Sequence, residues 1–231
     1  MFFEVQALPE KPAGIWYNSA MKKVISFDLD GTLVDARYGD MVWNHGIPDE
    51  YAKAYGMTFD DALKLIRAQY ESVGDGDILW YEIEHWLKRF SLEIEANELL
   101  DRYASYIRLM PDAAEVLREL YGRYTLVIAS NAARIFVEKE LAHTGVAGLF
   151  THIVSATTDY GMIKKEEGFF RRLCADIGVT SGEMVHVGDH PVFDHDVPSE
   201  LGIESYHING HDADVEERRT ISGLKDLLEV L

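Results

Sequence analysis

Strand and helix patterns alternate along the chain after Pro111, and this alternation limits the folds open to it. The apolar runs "YTLVIAS", "HIVSA", "EMVHVGD" and "ESYHI" are separated by amphipathic stretches such as "AARIFVEKELAHTG" and "EEGFFRRLCADIG". Near the N-terminus, "KKVISFDLDG" predicts one more buried strand. Strands that alternate with helices predict an α/β fold, in which a parallel sheet carries helices on both faces.

A helical insertion separates the first strand from this alternating part. In "FDDALKLIRAQYESVG" apolar residues recur at helical spacing, and Thr58 and Asp61 have the spacing of a capping box. "DILWYEIEHWLKRF" and "ANELLDRYASYIRLM" repeat the helical pattern, with no strand between them. We therefore predict three parts: an N-terminal extension without assigned function at 1–20, an α/β core at 21–38 and 109–231, and an all-helical insertion at 39–108.

Composition excludes several classes of partner. The 231 residues include 40 acidic and 22 basic side chains, which give a formal net charge of −18. A field of that sign repels nucleic acid and anionic lipid, and no apolar run approaches the length that crosses a bilayer, so we predict neither nucleic acid nor a membrane as a partner. Because Cys174 is the only cysteine and the N-terminus lacks a secretory signal pattern, we expect a cytoplasmic protein. Nothing in the sequence indicates an oligomeric state.

Carboxylates follow two predicted strands at the point where each strand ends. Asp28 and Asp30 end the first strand, and Asp189 ends "MVHVG", with Asp194 five residues further on. Ligands of open parallel sheets bind outside the carboxyl ends of the strands, so we expect these residues to lie together. Buried like charges repel one another unless a cation compensates them. Mg²⁺ prefers oxygen ligands and fits this set.

Groups suited to a phosphate occur at the same predicted edge. Ser130 and Asn131 end the strand "TLVIAS", and Lys164 precedes the helix "EEGFFRRLCADIG". A hydroxyl, an ammonium and the N–H groups at the start of the helix after Asn131 all suit phosphate oxygens. Asp28 is then a candidate nucleophile, because a carboxylate can form an acyl-phosphate intermediate. Asp30 is a candidate general acid that protonates the leaving alkoxide and then, as base, activates water.

Four segments resemble, in order and spacing, the motifs of the haloacid dehalogenase superfamily: "DLDGTLVD", "IASN", the lysine in "GMIKKEEGFF", and "HVGDHPVFD". The resemblance covers about two-thirds of the chain and implies a Rossmann-like core, a helical cap that closes over the substrate, and aspartyl-phosphate chemistry. It implies that Asp28 is the nucleophile and that Asp30 is the acid and base, with its carbonyl on Mg²⁺. It also implies that Ser130 and Lys164 bind the phosphoryl group and that Asp189 is a metal ligand.

Two motifs leave alternatives open. The third motif usually reads lysine–proline, whereas Lys164 is followed by Lys165. We prefer Lys164, because the apolar residues of the next helix then fall in the register of the family, and Lys165 remains the alternative. In the fourth motif the resemblance implies that Asp194 is a metal ligand through water or a partner of Lys164. Asp196 is the alternative, although the glycine downstream fits the register of Asp194 better.

Aromatic residues of the insertion either line a substrate pocket or form the helical core. We predict that Trp86, at helical spacing with its apolar neighbours, belongs to the core. Trp43 and His45 lie in the stretch "GDMVWNHGIPDE", which reads as irregular and follows the first motif. We predict that Trp43 and His45 contact the substrate.

The function that fits these residues is a Mg²⁺-dependent phosphatase for a small phosphorylated metabolite. A haloacid dehalogenase needs no metal and has no alkoxide to protonate, so Asp30 would be superfluous in it. A phosphomutase resembling β-phosphoglucomutase shares every motif and remains an alternative, as does an inert regulatory member. A transition-metal site is a further alternative, which requires three histidines to converge although the first lies on a strand: His186, His190 and His195.

Overall fold

The computed structural model describes residues 21–164, 166–208 and 218–231. Six strands form one sheet: β1 (Val24–Phe27), β2 (Thr125–Ser130), β3 (His152–Ser155), β4 (Met184–Gly188), β5 (Glu204–Ile208) and β6 (Thr220–Ile221). Every neighbouring pair is parallel, in the order β3–β2–β1–β4–β5–β6. The predicted α/β class is confirmed. The predicted extension at 1–20 lies outside the described residues.

The strand β1 lies at the centre of the sheet, where the order of strands reverses. All four of its residues are buried, as expected of a parallel strand covered on both faces. Phe27 pairs with Ile128 of β2 on one side and with Val187 of β4 on the other. The residues that follow these three strands therefore emerge side by side, at the switch point where such sheets bind ligands.

Between β1 and residue 106 the regular elements of the described chain are all helical. They are α1 (Arg37–Met41), α2 (Ile47–Tyr55), α3 (Phe59–Val73), α4 (Ile83–Arg89) and α5 (Ala96–Tyr103), with single turns at Val42–Gly46, Ile78–Tyr81 and Ala104–Tyr106. We call the segment from Arg37 to Tyr106 the cap. An inserted helical cap agrees with the predicted fold class.

The cap has its own aromatic core. Trp86 is fully buried, as predicted, and its ring lies 4.7 Å edge-on from Tyr70 and stacks 5.6 Å from Phe90. The predicted capping of the N-terminus of α3 is also present, because the Thr58 hydroxyl oxygen accepts the N–H of Asp61 at 3.2 Å.

One prediction for the cap was wrong. The stretch "GDMVWNHGIPDE", expected to be irregular, is helical from α1 through the turn Val42–Gly46 into α2. The turn packs so tightly against α5 that a Cβ on Gly46 would lie 2.8 Å from the ring of Tyr103. This tertiary contact holds the segment helical despite a glycine and Pro48 near the start of α2.

The remaining helices cover the sheet. They are α6 (Ala113–Leu120), α7 (Arg134–Thr144), α8 (Glu167–Ile177), α9 (Val197–Glu200) and α10 (Leu227–Val230). The closing helix predicted over "ISGLKDLLEVL" is much shorter than expected. Its first residues form β6, since Ile221 pairs with Ile208 of β5, and Gly223 is extended. No helix among residues 21–164, 166–208 and 218–231 is long and apolar enough to span a membrane.

Candidate active site

A buried lysine joins two carboxylates at the carboxyl end of the sheet. Asp28 directly follows β1, where its N–H donates to the carbonyl of Val187 at 2.8 Å. The Lys164 ammonium forms an ion pair with Oδ1 of Asp28 and lies 2.7 Å from Oδ1 of Asp194. The side chains of Lys164 and Asp194 are 2 % and 1 % exposed, so these charges interact with almost no solvent between them. Lys164 thus compensates part of the negative charge here.

Asp194 has further partners on the other side. Nε2 of the buried His186 lies 3.1 Å from Oδ1 of Asp194, and the backbone N–H of His190 donates to Oδ2 at 3.0 Å. Gly188 makes this approach possible, because a Cβ there would lie 2.2 Å from Cγ of Asp194. Burial alone would raise the pKa of Asp194, but Lys164 and His186 hold that pKa well below its usual range. Asp194 is therefore a fixed anion.

Asp189 completes a cluster of three carboxylates. One carboxylate oxygen from each of Asp28, Asp189 and Asp194 lies within 4.8 Å of the other two. The Asp189 carboxylate rests against the bare Cα of Gly31, where a Cβ would lie 2.1 Å from Oδ2. Asp189 keeps an exposed face, yet neighbouring atoms desolvate its carboxylate, and this desolvation and the charge of Asp194 raise its pKa to about 6. The cluster favours an added positive charge.

Asp30, which is partly exposed, lies beside a buried acid, Glu140. Glu140 is on α7 and 0 % exposed, and neither of its carboxylate oxygens has a hydrogen-bond partner among the described residues. Burial raises the pKa of Glu140 well above its usual range, and the nearby charge of Asp30 raises it further. Burial also raises the pKa of Asp30. A carboxyl in such surroundings tends to keep its proton, as a general acid must.

The predicted phosphate-binding residues lie next to Asp28. Ser130 is 1 % exposed, and its hydroxyl oxygen accepts the N–H of Ala132 at 3.0 Å. Oδ1 of Asn131 accepts the backbone N–H of Lys164 at 2.8 Å, which joins the loops after β2 and β3. The Thr157 hydroxyl donates to the carbonyl of Asn131 at 3.0 Å. These bonds hold the Ser130 hydroxyl and Lys164 beside one cavity.

The cavity above these residues has a volume of about 620 Å³. The core and the cap both line it, and the cap contributes Gly39, Asp40, Trp43, Asn44, Arg67, Tyr70, Glu71, Trp80 and Tyr81. Trp43 therefore lies where a substrate contact was predicted. His45 does not line the cavity, because it is exposed and its ring stacks 5.7 Å from that of Phe59. Helical geometry separates two residues that are close in sequence.

Asp196, the alternative to Asp194 in the fourth motif, makes no contact with Lys164. Asp196 pairs with the Arg218 guanidinium, so Asp194 is the acid that reaches Lys164. Lys165 lies outside the described residues. The three histidines do not converge: His186 binds Asp194, while the rings of His190 and His195 accept backbone N–H groups of different segments.

Comparison with known proteins shows the family of this chain. A model of the family described as haloacid dehalogenase-like hydrolase matches residues 22–195. The chain belongs to this family. The matched range begins just before β1 and includes Asp28, Lys164, Asp189 and Asp194. The resemblance seen in the motifs is therefore confirmed.

Individual relatives of this haloacid dehalogenase-like hydrolase are distant in sequence. The GMP/IMP nucleotidase YrfG of Escherichia coli is 23 % identical over 167 residues, which are 71 % of this chain and 73 % of that protein. A phosphoglycolate phosphatase of Aliivibrio fischeri is 26 % identical over 183 residues, 72 % of this chain and 75 % of that one. The crystal structure of a HAD phosphatase from Thermococcus onnurineus has a TM-score of 0.80 and 25 % identity, and covers 91 % of this chain and 97 % of its own.

Sequence reasoning missed two residues of this hydrolase that the structure places in or beside the cavity. Glu140 is one, and its signal was a charged residue on the apolar stripe that α7 forms with Phe136 and Val137. Arg67 is the other, and it had no signal, because an arginine on the polar side of an amphipathic helix usually faces solvent.

Proposed function

We propose that this hydrolase is a Mg²⁺-dependent phosphatase that acts on a small phosphorylated metabolite through an aspartyl-phosphate intermediate. The observation that carries the proposal is the arrangement around Asp28. Lys164 binds Oδ1 of Asp28, and Oδ2 makes no hydrogen bond to any residue of the described chain. One carboxylate oxygen is thus held, while the other is available as a nucleophile beside the Ser130 hydroxyl.

The donor set fits a hard dication. The three clustered acids offer only oxygen atoms, and burial and mutual repulsion raise the pKa of both Asp28 and Asp189 despite Lys164. Asp28, Asp189 and Asp194 would hold Mg²⁺ directly or through water, together with the carbonyl of Asp30. When bound, the ion would supply positive charge that neutralises the phosphoryl oxygens during transfer.

The first step transfers the phosphoryl group to Asp28. Oδ2 of Asp28 attacks phosphorus, and the new O–P bond forms as the bond from phosphorus to the ester oxygen breaks. The leaving oxygen takes a proton from Asp30, whose raised pKa keeps that proton available. Lys164 and the Ser130 hydroxyl bind phosphoryl oxygens and hold the group in place.

The second step releases phosphate. Asp30, now ionised, accepts a proton from water as the water oxygen attacks phosphorus. The bond from phosphorus to Asp28 breaks, so phosphate leaves and the carboxylate of Asp28 is restored. Asp30 ends the cycle protonated, as it began.

The cavity favours a substrate larger than a short acid phosphate. Its volume of about 620 Å³ equals that of about twenty water molecules. Aromatic rings line it, and such rings supply stacking surface for flat apolar groups. Of the substrates in the names of the two relatives, a purine nucleoside monophosphate uses this space better than phosphoglycolate. We therefore extend the proposal to nucleoside monophosphates.

The test is phosphate release from a panel of nucleoside, sugar and acid phosphates, with Mg²⁺ and with chelator. We expect hydrolysis with Mg²⁺ and its loss in chelator. Full phosphate release in chelator would overturn the Mg²⁺ dependence. Halide release from a 2-haloacid without phosphate release would replace the proposal by the dehalogenase alternative. Isomerised sugar phosphate without net phosphate release would favour the phosphomutase.

A further inference from the structure

Two oppositely charged residues of α3 line the cavity without pairing with each other. Arg67 and Glu71 are one helical turn apart, a spacing at which opposite charges usually interact. Both side chains are exposed, and neither forms an ion pair with any residue in the described ranges. Their charges are therefore available to a ligand.

A chain of hydrogen bonds within the cap holds the Arg67 guanidinium. Nε of Arg67 donates to Oδ1 of Asn44 at 3.1 Å, and Nδ2 of Asn44 donates to Oδ1 of Asp40 at 2.8 Å. The two terminal nitrogens of Arg67 make no hydrogen bond to a residue that the structure describes. The guanidinium is thus held by one nitrogen and keeps a two-nitrogen donor edge, one helical turn from Glu71.

Aromatic side chains border the same space. The ring of Trp43 stacks 5.5 Å from that of Phe136, with an angle of 14° between the planes. Tyr70, the residue before Glu71, is edge-on to Trp43 at 5.9 Å and lies 6.2 Å from Trp80. Rings that support one another in this way form a firm wall, which favours a flat ligand over a flexible one.

We propose that Arg67 and Glu71 are the residues by which the cap selects the leaving group, and that the group they fit is a nucleoside with a 6-oxopurine base. This inference rests on the proposed phosphatase function and adds the residues that would set its specificity.

The hydrogen-bonding edge of the base supplies the reason. A 6-oxopurine presents N7 and O6 as neighbouring acceptors, which the arginine fork binds in a bidentate manner. Its N1–H is the next donor along the edge, and a carboxylate such as that of Glu71 accepts it. Adenine presents the opposite pattern, with an amino donor facing Arg67 and a bare nitrogen facing Glu71. The pair would therefore reject adenine while it accepts hypoxanthine or guanine.

A small carboxylate ligand fits the same wall less well. It would use Arg67 alone, and the charge of Glu71 one turn away would repel it. It would also leave most of the 620 Å³ cavity to water. The donor edge and the acceptor edge together favour the base.

The test compares kcat/KM for inosine 5′-monophosphate, adenosine 5′-monophosphate, 2-phosphoglycolate and p-nitrophenyl phosphate, all with Mg²⁺. We expect the inosine nucleotide to exceed the adenosine nucleotide by about 10- to 100-fold, the range that one bidentate contact supplies. Arg67→Met should lower kcat/KM for the inosine nucleotide by a similar factor. The fold-loss for p-nitrophenyl phosphate should be at least ten times smaller than the fold-loss for the inosine nucleotide. Arg67→Gln should shift the preference toward adenosine, because glutamine pairs with N6 and N7 of adenine.

The matched control is Arg89→Gln. Arg89 is also a cap arginine, but it binds Gln69 and does not line the cavity, so the nucleotide preference should stay unchanged. Equal kcat/KM for the two nucleotides, or a preference that survives both Arg67 variants, would overturn the inference alone, provided that p-nitrophenyl phosphate is hydrolysed. Loss of 2-phosphoglycolate hydrolysis in Arg67→Met, without nucleotide hydrolysis in the wild type, would assign Arg67 to a carboxylate instead. No hydrolysis of any ester would overturn the proposed function as well.

Discussion

Asp194 and Glu140 are equally hidden from water, yet their surroundings act on them in opposite directions. Asp194 is 1 % exposed and Glu140 is 0 % exposed. The Asp194 carboxylate is hydrogen-bonded to the Lys164 ammonium, to His186 and to a backbone N–H, and its pKa lies well below the usual range. The carboxylate oxygens of Glu140 have no hydrogen-bond partner within the described chain. Glu140 lies beside Asp30, and burial raises the pKa of Glu140.

The difference shows that burial alone does not set the charge of an acid. Desolvation by itself would raise the pKa of both acids. Only at Asp194 do charged and hydrogen-bonding partners outweigh desolvation and lower the pKa. Asp194 therefore favours its ionised form, whereas Asp30 and Glu140 on the other side favour keeping a proton. This division matches the two tasks of the proposed reaction, which are to bind a cation and to move a proton. Four variants test the division, taken from the largest expected effect to the smallest.

Replacing Asp28 should have the largest effect on turnover. In Asp28→Asn the ion pair of Lys164 with Asp194 remains, so we expect the fold to be intact. Phosphate release should fall by more than about a thousand-fold, because an amide is a poor nucleophile. The measurements are steady-state phosphate release and a thermal unfolding curve. A variant with more than a few per cent of the wild-type rate would refute the assignment of the nucleophile.

Replacing Asp30 tests the proton-carrying side. Asp30→Asn should slow turnover by about 10²–10⁴-fold, the usual contribution of a general acid and base. Rapid quench measures the step in which the leaving group departs. At that step the loss should be smaller for p-nitrophenyl phosphate, because its leaving group needs little protonation. Equal losses at that step for good and poor leaving groups would show that Asp30 is not the acid.

Removing the ammonium tests the side of the ionised Asp194. Lys164→Met leaves Asp28 and Asp194 without their shared partner, and loss of one member of a buried ion pair costs about 3–5 kcal/mol of stability. The measurement is urea unfolding at pH 7. Lys53→Met is the control, because Lys53 makes exposed ion pairs in the cap and should change stability by less than about 1 kcal/mol. Similar small changes in both variants would mean that Lys164 contributes no more than a surface charge.

Replacing Glu140 should have the smallest effect, and its effect on stability should have the opposite sign to that of Lys164→Met. Because its folded pKa is raised, ionised Glu140 costs stability increasingly as the pH rises above about 4.3, the ordinary value for glutamate. Glu140→Gln should therefore stabilise the protein by about 1–3 kcal/mol at pH 8 and by less at pH 5. Thermal unfolding at the two pH values measures this.

The control for that variant is on the same helix. Glu138→Gln changes an exposed side chain of α7 and should move the melting temperature little at either pH. If Glu140→Gln destabilises the protein at pH 8, ionised Glu140 has a favourable partner and its contrast with Asp194 disappears.

The sequence by itself determined the order of strands and helices and the residues at the strand ends. Apolar runs and helical spacing are local patterns, so the five main strands and the aromatic core around Trp86 were predictable from them. The carboxyl ends of parallel strands meet at one edge, and this rule was enough to group Asp28, Asp189 and Lys164. The edge strand β6 escaped prediction, because two residues are too few for a periodic pattern.

Only the tertiary structure decided which distant side chains share a cavity or a charge. The sequence separates Glu140 from Asp30 by more than a hundred residues, and the packing of α7 on the sheet brings them together. The rotation of the helices in the cap places Trp43 and Arg67 at the cavity and His45 outside it. The physical reason is that the pKa of a buried group and the lining of a cavity depend on neighbours across space, whereas sequence patterns report neighbours along the chain.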